Sequence, residues 1–227
     1  MDKIYKILPK YAFIPIIITF VYNLLVYYGS KLITENMTHY DLSCEIDAAI
    51  PFVPEMMIVY VLAYVTWGIG FIVIGRESKQ VCYEVMTAEL IAKTICLICF
   101  IVLPTTIIAY RPDVAAIEGN GIVAWLTRFI FNADVPVSLF PSIHCLENWI
   151  VFRGAMKCKK AGRGYTAVMF IVALAVFAST VMVKQHFFVD IIGGVAVVEI
   201  GLLVSKRFRL YNVYYKLESK LEKFKKQ

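Results

Sequence analysis

The sequence predicts an all-α polytopic membrane protein with six transmembrane helices, forming one domain over residues 1–227. Hydrophobic residues make up 60% of the chain and charged residues only 18%, whereas soluble domains average about 45–50% and about 25%. The apolar residues form long uninterrupted blocks, and most cations cluster between alternate blocks. These observations favour a bilayer around the chain over a large soluble core.

Six apolar segments are candidates for the transmembrane helices, because each approaches the length of about 20 residues that a bilayer crossing needs. They run Tyr11–Tyr28, Val53–Gly75, Leu90–Tyr110, Pro141–Met156, Tyr165–Val183 and Phe187–Ser205. The fourth is the shortest and carries Glu147 and Asn148, which are costly beside lipid. The first follows three lysines, as a signal peptide would. Its long apolar run and the lack of a small-residue cleavage site favour a retained anchor.

The distribution of lysine and arginine predicts the orientation of these helices. Nineteen of the 23 cations precede the first segment, follow the sixth, or lie in the second-to-third and fourth-to-fifth connections. Because such an excess marks the cytoplasmic side, both termini are expected in the cytoplasm of a cell-membrane protein. Residues 206–227 would form a basic amphipathic cytoplasmic tail, either resting on anionic lipids or solvated. The pattern indicates membrane lipids, not nucleic acid, as the partner of the basic charge.

Two shorter patterns concern the surroundings of the helices. In the predicted outer loop 111–140, apolar residues recur at helical spacing, which predicts a short helix that lies in the interface or packs on the protein. Cys96 and Cys99 form a C-x-x-C inside an apolar segment without a second pair, which favours core packing over metal or redox chemistry. The sequence therefore predicts no metal and no cofactor.

Three residues that suit phosphate chemistry converge on the predicted outer face. His144 and His186, two of only three histidines, lie at the outer ends of the fourth and sixth segments, and Arg111 lies at the outer end of the third. A single histidine at such a position more often packs or anchors a helix than takes part in catalysis. The convergence of three predicted helices on one membrane face favours a functional site. The histidines were not used to predict the topology, so their placement on the same face is independent support.

The spacing of His186 and Asp190 places both on one face of the sixth helix. A carboxylate there accepts a hydrogen bond from one ring nitrogen and leaves the other nucleophilic. His144 follows Pro141 and Ser142, which suit the first turn of a helix whose N-terminus favours a bound phosphate.

Other charged residues have supporting roles in this interpretation. Arg111 offers a planar fork for phosphate oxygens. Glu147 lies one turn deeper than His144 and is placed to support it, whereas Glu199 lies too far from His186 and is expected to pair inside the bundle.

The segments Arg111-Pro112, Pro141-Ser142-Ile143-His144 and Ser179-x6-His186-x3-Asp190 resemble the three signature motifs of the type 2 phosphatidic acid phosphatase (PAP2) superfamily. The resemblance implies a six-helix bundle and a metal-independent lipid phosphatase or phosphotransferase. It also implies that His186 attacks phosphorus to form a phosphohistidine, that Asp190 orients His186, and that His144 protonates the leaving group. The residues expected to bind the substrate phosphate are Arg111, Ser142, Ser179 and Lys184.

Three departures from the family motifs concern charge and backbone. Pro104 stands where the family has a lysine, Thr180 where it has an arginine, and Ile143 where it usually has a glycine. These departures resemble the branch that includes inositol phosphorylceramide synthases. We hypothesise that Lys184 replaces the lost arginine and forms the phosphate site together with Arg111. Two cations suit a phosphodiester, which carries one negative charge, better than a phosphomonoester, which carries nearly two. The alternative is that Lys184 only anchors the turn at headgroup level.

The expected reaction is cleavage of a lipid phosphate ester or diphosphate, with transfer of the phosphoryl group to water or an alcohol. One alternative is a head-group phosphotransferase similar to inositol phosphorylceramide or sphingomyelin synthases. A second alternative, from another class, is an inactive lipid-binding or transport scaffold. The intact histidines and Asp190 argue against the scaffold.

Overall fold

The computed structural model describes residues 7–224. Lys3, Lys6 and the last two lysines of the predicted tail lie outside the described residues. The described residues form nine α-helices and no β-strand, which confirms the all-α fold class. The helices are α1 (Lys10–Thr34), α2 (Glu45–Ala49), α3 (Met57–Glu77), α4 (Lys79–Val102), α5 (Ile122–Ala133), α6 (Ile143–Ala155), α7 (Gly162–Met182), α8 (Phe188–Arg207) and α9 (Asn212–Phe224).

Five of these helices are long and apolar enough to cross a membrane. They are α1, α3 with the 3-10 turn that precedes it, α4, α7 and α8. Their outward faces carry many large exposed apolar side chains, such as Leu25 on α1, Ile69 on α3 and Leu203 on α8. Such faces suit contact with lipid, and the chain therefore has the architecture of a multi-pass membrane protein.

The fourth predicted span forms α6, which is shorter than a bilayer crossing. Its 13 residues extend for about 20 Å at 1.5 Å per residue, against a hydrocarbon core of about 30 Å. α6 packs against α3, α4, α7 and α8, and Glu147 and Asn148 are buried among them. Because protein and not lipid surrounds this helix, it tolerates polar residues that a lipid-facing span would not.

The third predicted span is misplaced, and the structure corrects it to α4. The helix begins directly after Ser78, whose hydroxyl accepts a hydrogen bond from Val81 N at 3.2 Å. It ends at Val102, because Pro104 disfavours the helical conformation of the residue before it. Lys93 is consequently buried in the middle of α4, not exposed in a cytoplasmic connection as the cation count assumed. Arg111 lies in a loop beyond the helix.

α6 and α8 begin at the same end of the bundle, which we call the histidine end. The loops 35–56 and 103–142 cover it. Thr105 joins parts of the second loop, since its hydroxyl accepts hydrogen bonds from Leu139 N and Phe140 N at 2.9 and 3.1 Å. α5 forms where helical spacing predicted a helix, and it exposes Trp125 and Phe129 as a stacked pair. This apolar surface suits the membrane interface.

The opposite end of the bundle, which we call the tail end, carries α9. Lys79 at the start of α4 forms an ion pair with Glu218 at 2.7 Å. The ring of Tyr83 lies 5.2 Å from that of Tyr214, which is buried. The described part of the predicted tail is therefore packed against the bundle.

Candidate active site

His186 lies in the tight turn between α7 and α8. The amides of Gln185 and His186 both donate to the carbonyl oxygen of Thr180, at 3.0 and 3.1 Å. One carboxylate oxygen of Asp190 accepts from Phe187 N at 2.9 Å and lies 3.1 Å from Nδ1 of His186. Asp190 thus caps α8 and holds the imidazole ring at the same time. This contact leaves Nε2 of His186 as the nitrogen available for attack.

His144 lies in the first turn of α6, beside His186. Its ring stacks on Tyr60 at 4.2 Å between centroids and meets the edge of Tyr64 at 5.1 Å. The centroids of the two imidazole rings are 6.0 Å apart. Nε2 of His144 is buried and has no hydrogen-bond partner in the described structure. The pair therefore offers one oriented ring and one ring with a free buried nitrogen.

Close packing of α6 and α8 fixes the separation of the two histidines. Ser142 N donates to the carbonyl oxygen of Asp190 at 3.1 Å, which joins the first turns of the two helices. At Gly194, an added Cβ would lie 2.7 Å from Ser142 O, so no larger residue fits without movement of the backbone. The Ser142 hydroxyl accepts from Cys145 N at 3.3 Å and caps α6, as a serine at this position should.

Arg111 lies at the edge of the site and outside the lining of the cavity described below. Its Nη1 donates to the carbonyl oxygen of Asp134 at 2.7 Å, and its guanidinium lies 4.0 Å above the ring of Phe131. Burial lowers the pKa of Arg111, although the charge of Asp134 opposes the shift. Its Nη2 is buried without a hydrogen-bond partner. This nitrogen is a free donor for an anion.

Lys184 and Ser179 are engaged with backbone carbonyl oxygens. The Lys184 ammonium donates to Ile50 O at 2.6 Å and to Asp47 O at 3.1 Å, and the residue has a left-handed φ of 53°. Burial lowers the pKa of Lys184, and the charge of Asp47 opposes this. The Ser179 hydroxyl donates to Val176 O at 2.8 Å. The structure therefore brings together His144, His186, Asp190 and Ser142, whereas the polar groups of Ser179 and Lys184 bind backbone carbonyl oxygens.

Asp47 is a contributor that sequence reasoning missed. One of its carboxylate oxygens accepts from Phe188 N at 2.7 Å, and the other accepts from Cys44 N at 2.9 Å. It thereby joins the loop between α1 and α3 to the first turn of α8. In the sequence, Asp47 is one of several acidic residues in a predicted loop. Its hydrogen bond to Phe188 N spans 141 residues, and no local sequence pattern predicts such a contact.

A cavity of about 240 Å³ opens beside both histidines. Aromatic rings form much of its wall, and two acids, three amides and a serine add polar groups. These residues are Tyr27, Tyr28, Tyr60, Tyr64, Trp67 and Phe100, with Asp134, Glu147, Asn23, Asn148, Gln185 and Ser138. No sequence pattern marks the aromatic residues as part of the site, because they come from three helices distant along the chain.

Below the cavity, three charged residues pair inside the bundle. The Lys93 ammonium lies 2.6 Å from Glu89 and 2.7 Å from Glu147, and all three side chains are at most 1% exposed. Glu147 lines the cavity one turn deeper than His144, as predicted, but its ionic partner is Lys93. Glu199 pairs with Arg153 and accepts from Trp149 Nε1 at 2.8 Å, on the outside of α6 and α8.

The apolar spans and the paired histidines define a polytopic membrane protein with a candidate nucleophile and acid–base group at one end of its bundle. The PAP2 superfamily model matches residues 45–204, more than half of the chain, and the protein therefore belongs to the PAP2 superfamily. The matched region contains Arg111, both histidines and Asp190. No curated protein and no solved structure matches the chain significantly.

Proposed function

We propose that the protein is an integral membrane lipid phosphatase or phosphotransferase that cleaves a lipid phosphate ester or diphosphate. Membership of the PAP2 superfamily supports this class of reaction. The observation that carries the proposal is the His186 ring, held at Nδ1 by Asp190, with the ring of His144 6.0 Å away across a common cavity. That separation suits a phosphoryl group between the two rings.

In the proposed reaction, Nε2 of His186 attacks phosphorus and the bond between phosphorus and the leaving oxygen breaks. His144, in its protonated form, donates a proton to that oxygen. Asp190 stabilises the positive charge that develops on His186. Water or an alcohol then attacks the phosphohistidine, His144 takes up the proton of the attacking hydroxyl, and His186 is released unchanged. These groups supply the chemistry without a metal ion.

Phosphate binding is assigned to Arg111 and to the first turn of α6. The buried free nitrogen of Arg111 supports its role, as does its contact with the backbone of Asp134, which lines the cavity. Ser142 would act through the helix N-terminus that it caps. Binding of phosphate by Ser179 and Lys184 remains a prediction. The contacts of Lys184 with two carbonyl oxygens favour the alternative that it anchors the turn.

Two alternatives differ from this proposal in their products. A head-group phosphotransferase similar to inositol phosphorylceramide or sphingomyelin synthases would use the same phosphohistidine with an alcohol acceptor. An inactive lipid-binding scaffold would form no phosphoenzyme. We also propose that the histidine end faces the outside of the cell membrane, with both termini in the cytoplasm, because the cation excess lies at the tail end.

The test is a lipid-panel assay on purified wild-type protein, His186→Ala and His39→Ala, scoring released phosphate, transferred head group and acid-labile phosphoenzyme. His186→Ala should abolish turnover and phosphoenzyme because it lacks the nucleophile. His39→Ala is the matched control, since His39 does not line the cavity, and it should keep both. Wild-type turnover that survives in His186→Ala would overturn the mechanism. Absence of turnover and phosphoenzyme from wild type on every lipid would favour the scaffold.

A further inference from the structure

A buried cluster of three charged residues lies at the base of the cavity. Glu89 and Lys93 of α4 meet Glu147 of α6, and the one ammonium group contacts both carboxylates, at 2.6 and 2.7 Å. Apart from these contacts, the carboxylate oxygens are buried and have no hydrogen-bond partner in the described structure. The same ammonium donates to the carbonyl oxygen of Thr19 on α1, at 3.4 Å. Two carboxyl groups therefore share one cation.

The charge count of this cluster calls for one bound proton. All three side chains are at most 1% exposed, and a net negative charge is costly at that depth. Tyr214 of α9 and Cys96 of α4 also interact with the cluster, but both are neutral near pH 7 and leave the count unchanged. Glu89 suits the proton at rest, because Glu147 faces the polar cavity and Glu89 does not. Since both carboxylates contact the same nitrogen, the proton has a short path between them.

Glu147 connects the cluster to the active site. It follows His144 by three residues on α6, so the two side chains lie on one face of the helix, about 4.5 Å apart along its axis. Both residues line the same cavity. This space is polar and large enough for a water molecule to bridge the two groups. A proton can therefore pass from Glu147 to His144 without leaving the protein.

The surroundings of His144 explain why it needs such a supply. In the described structure its ring contacts Tyr60 and Tyr64 and no carboxylate, and its Nε2 is buried without a hydrogen-bond partner. A protonated ring would lack a counter-charge there, which favours the neutral form before the substrate reacts. Asp134, the other acid that lines the cavity, is already paired with Lys31 at 2.7 Å.

We propose that Glu89 and Glu147 form a proton relay that protonates His144 for departure of the leaving group. The relay rests on the proposed function, because it supplies the proton that His144 donates in that reaction. When the substrate binds, the proton of Glu89 passes through Glu147 to Nε2 of His144, and the cluster becomes the negative counter-charge of the imidazolium. The two glutamates thus act through His144, as positioning residues for its proton.

The relay leaves the overall proton balance unchanged. Nε2 of His144 gives its proton to the leaving oxygen as the bond from that oxygen to phosphorus breaks and the bond from His186 to phosphorus forms. Water or an alcohol then attacks the phosphohistidine, and the bond to His186 breaks. Nε2 of His144 takes up the proton of the attacking hydroxyl and returns it through Glu147 to Glu89.

The test uses glutamine variants, which keep the cluster neutral. Glu89→Gln has the shape and charge of the protonated acid but no proton to release, and in Glu147→Gln the remaining carboxylate pairs with Lys93. Glu199→Gln is the matched control, because Glu199 pairs with Arg153 and does not line the cavity. The Tm of each variant should therefore stay close to that of wild type.

Phosphoenzyme formation is measured with two substrates that differ in their leaving group. One is the best phosphate ester of the lipid panel, which releases an alcohol. The other is its analogue that releases 4-nitrophenolate, which needs no proton. With the first substrate, Glu89→Gln and Glu147→Gln should each slow phosphoenzyme formation about 100-fold, the low end of the contribution of a positioned acid–base group. With the second substrate, both should react as fast as wild type, and Glu199→Gln should keep both rates.

An infrared difference spectrum tests the resting proton directly. The band of a buried protonated carboxyl group should be present in wild type and Glu199→Gln, and absent from Glu89→Gln and Glu147→Gln. Absence of this band from wild type, unchanged rates with the alcohol-releasing substrate, or equal slowing with both substrates would overturn the relay while leaving the phosphohistidine chemistry intact. Absence of a phosphoenzyme from wild type with both substrates would instead overturn the proposed function.

Discussion

At the wall of the cavity, Asp134 shows how one carboxylate is kept charged among apolar neighbours. It follows α5, and Lys31 of α1 contacts it at 2.7 Å while the Tyr27 hydroxyl donates to the same oxygen. Burial raises the pKa of Asp134, but the charge and hydrogen bond of Lys31, together with the Tyr27 hydrogen bond and the charge of His144, outweigh burial, so the pKa lies below its usual value of 3.8. The pair joins α1 to the loop that also holds Arg111.

We expect the ion pair to make stability depend on pH in the acidic range. A carboxyl whose folded pKa is lowered stabilises the fold above its unfolded pKa, near 3.8, and loses this contribution as the pH falls through the folded pKa. The Tm of wild type should therefore exceed that of Asp134→Asn from pH 5 to 7, and the difference should shrink below about pH 4. Thermal unfolding in detergent across this range measures it.

Asp113→Asn is the matched control for this prediction. Asp113 caps an exposed turn by accepting from Ala115 N at 3.0 Å, away from the Lys31 ion pair. A Tm difference between wild type and Asp134→Asn that stays constant from pH 3 to pH 7 would contradict the assigned role of the charge.

At the scale of elements, the site depends on how closely the N-termini of α6 and α8 approach. Each histidine lies within or beside a first helical turn, so a small shift of either helix changes the distance between the rings. Gly194 sets this approach, because a Cβ there would lie 2.7 Å from Ser142 O, 3.0 Å from Cys145 Cβ and 3.2 Å from Leu146 N. Two of these atoms belong to the backbone and cannot move aside alone.

Gly194→Ala should therefore impair both stability and activity. Overpacking of this kind costs about 1–3 kcal/mol, and displacement of α8 from α6 should lower kcat further by spoiling the geometry between His144 and His186. Gly68→Ala on α3 is the matched control, since nothing lies within 4 Å of its added Cβ, and it should be neutral or slightly stabilising. Thermal unfolding and kcat measured on both variants decide it. Equal behaviour of the two variants would show that the helix contact does not control the site.

At the scale of the whole molecule, a buried charge cluster joins the bundle to the cavity. Glu89 and Lys93 come from α4, and Glu147 comes from α6. Charged groups at this depth are costly unless they are paired, so the cluster requires α4 and α6 to stay in register. It thereby holds the base of the cavity in place beneath the histidines.

The orientation of the whole bundle is tested by cysteine labelling with a membrane-impermeant reagent. In a Cys44→Ser background, which removes the exposed native thiol at the histidine end, a cysteine at Gly119 should react from outside. A cysteine at Ala161, at the tail end, should react only after permeabilisation. The reverse pattern would place the histidines on the cytoplasmic side and contradict the cation rule for this chain.

Sequence alone determined the features that depend on composition and on local spacing. Long apolar blocks indicated the membrane helices, and the four-residue spacing of His186 and Asp190 predicted their contact. The reason differs from the predicted one, because His186 lies in the turn before α8 and not on the helix, and Asp190 reaches its ring while capping Phe187 N. The predicted bounds of the third span were wrong, since the Ser78 cap and Pro104, and not hydropathy, decide where α4 begins and ends. The length rule for transmembrane helices applies to helices that face lipid, so it did not predict the short interior helix α6.

Tertiary structure decided everything that joins residues distant along the chain. The cap that Asp47 provides to α8, the pairing of Lys93 with Glu147, and the aromatic wall of the cavity arise from helices whose mutual rotation no local pattern encodes. Lys184 shows the same limit, because its position beside the nucleophile suggested phosphate binding, whereas the fold directs its ammonium to the carbonyl oxygens of Asp47 and Ile50. Spacing along one helix fixes which side chains share a face, but only packing fixes what that face meets.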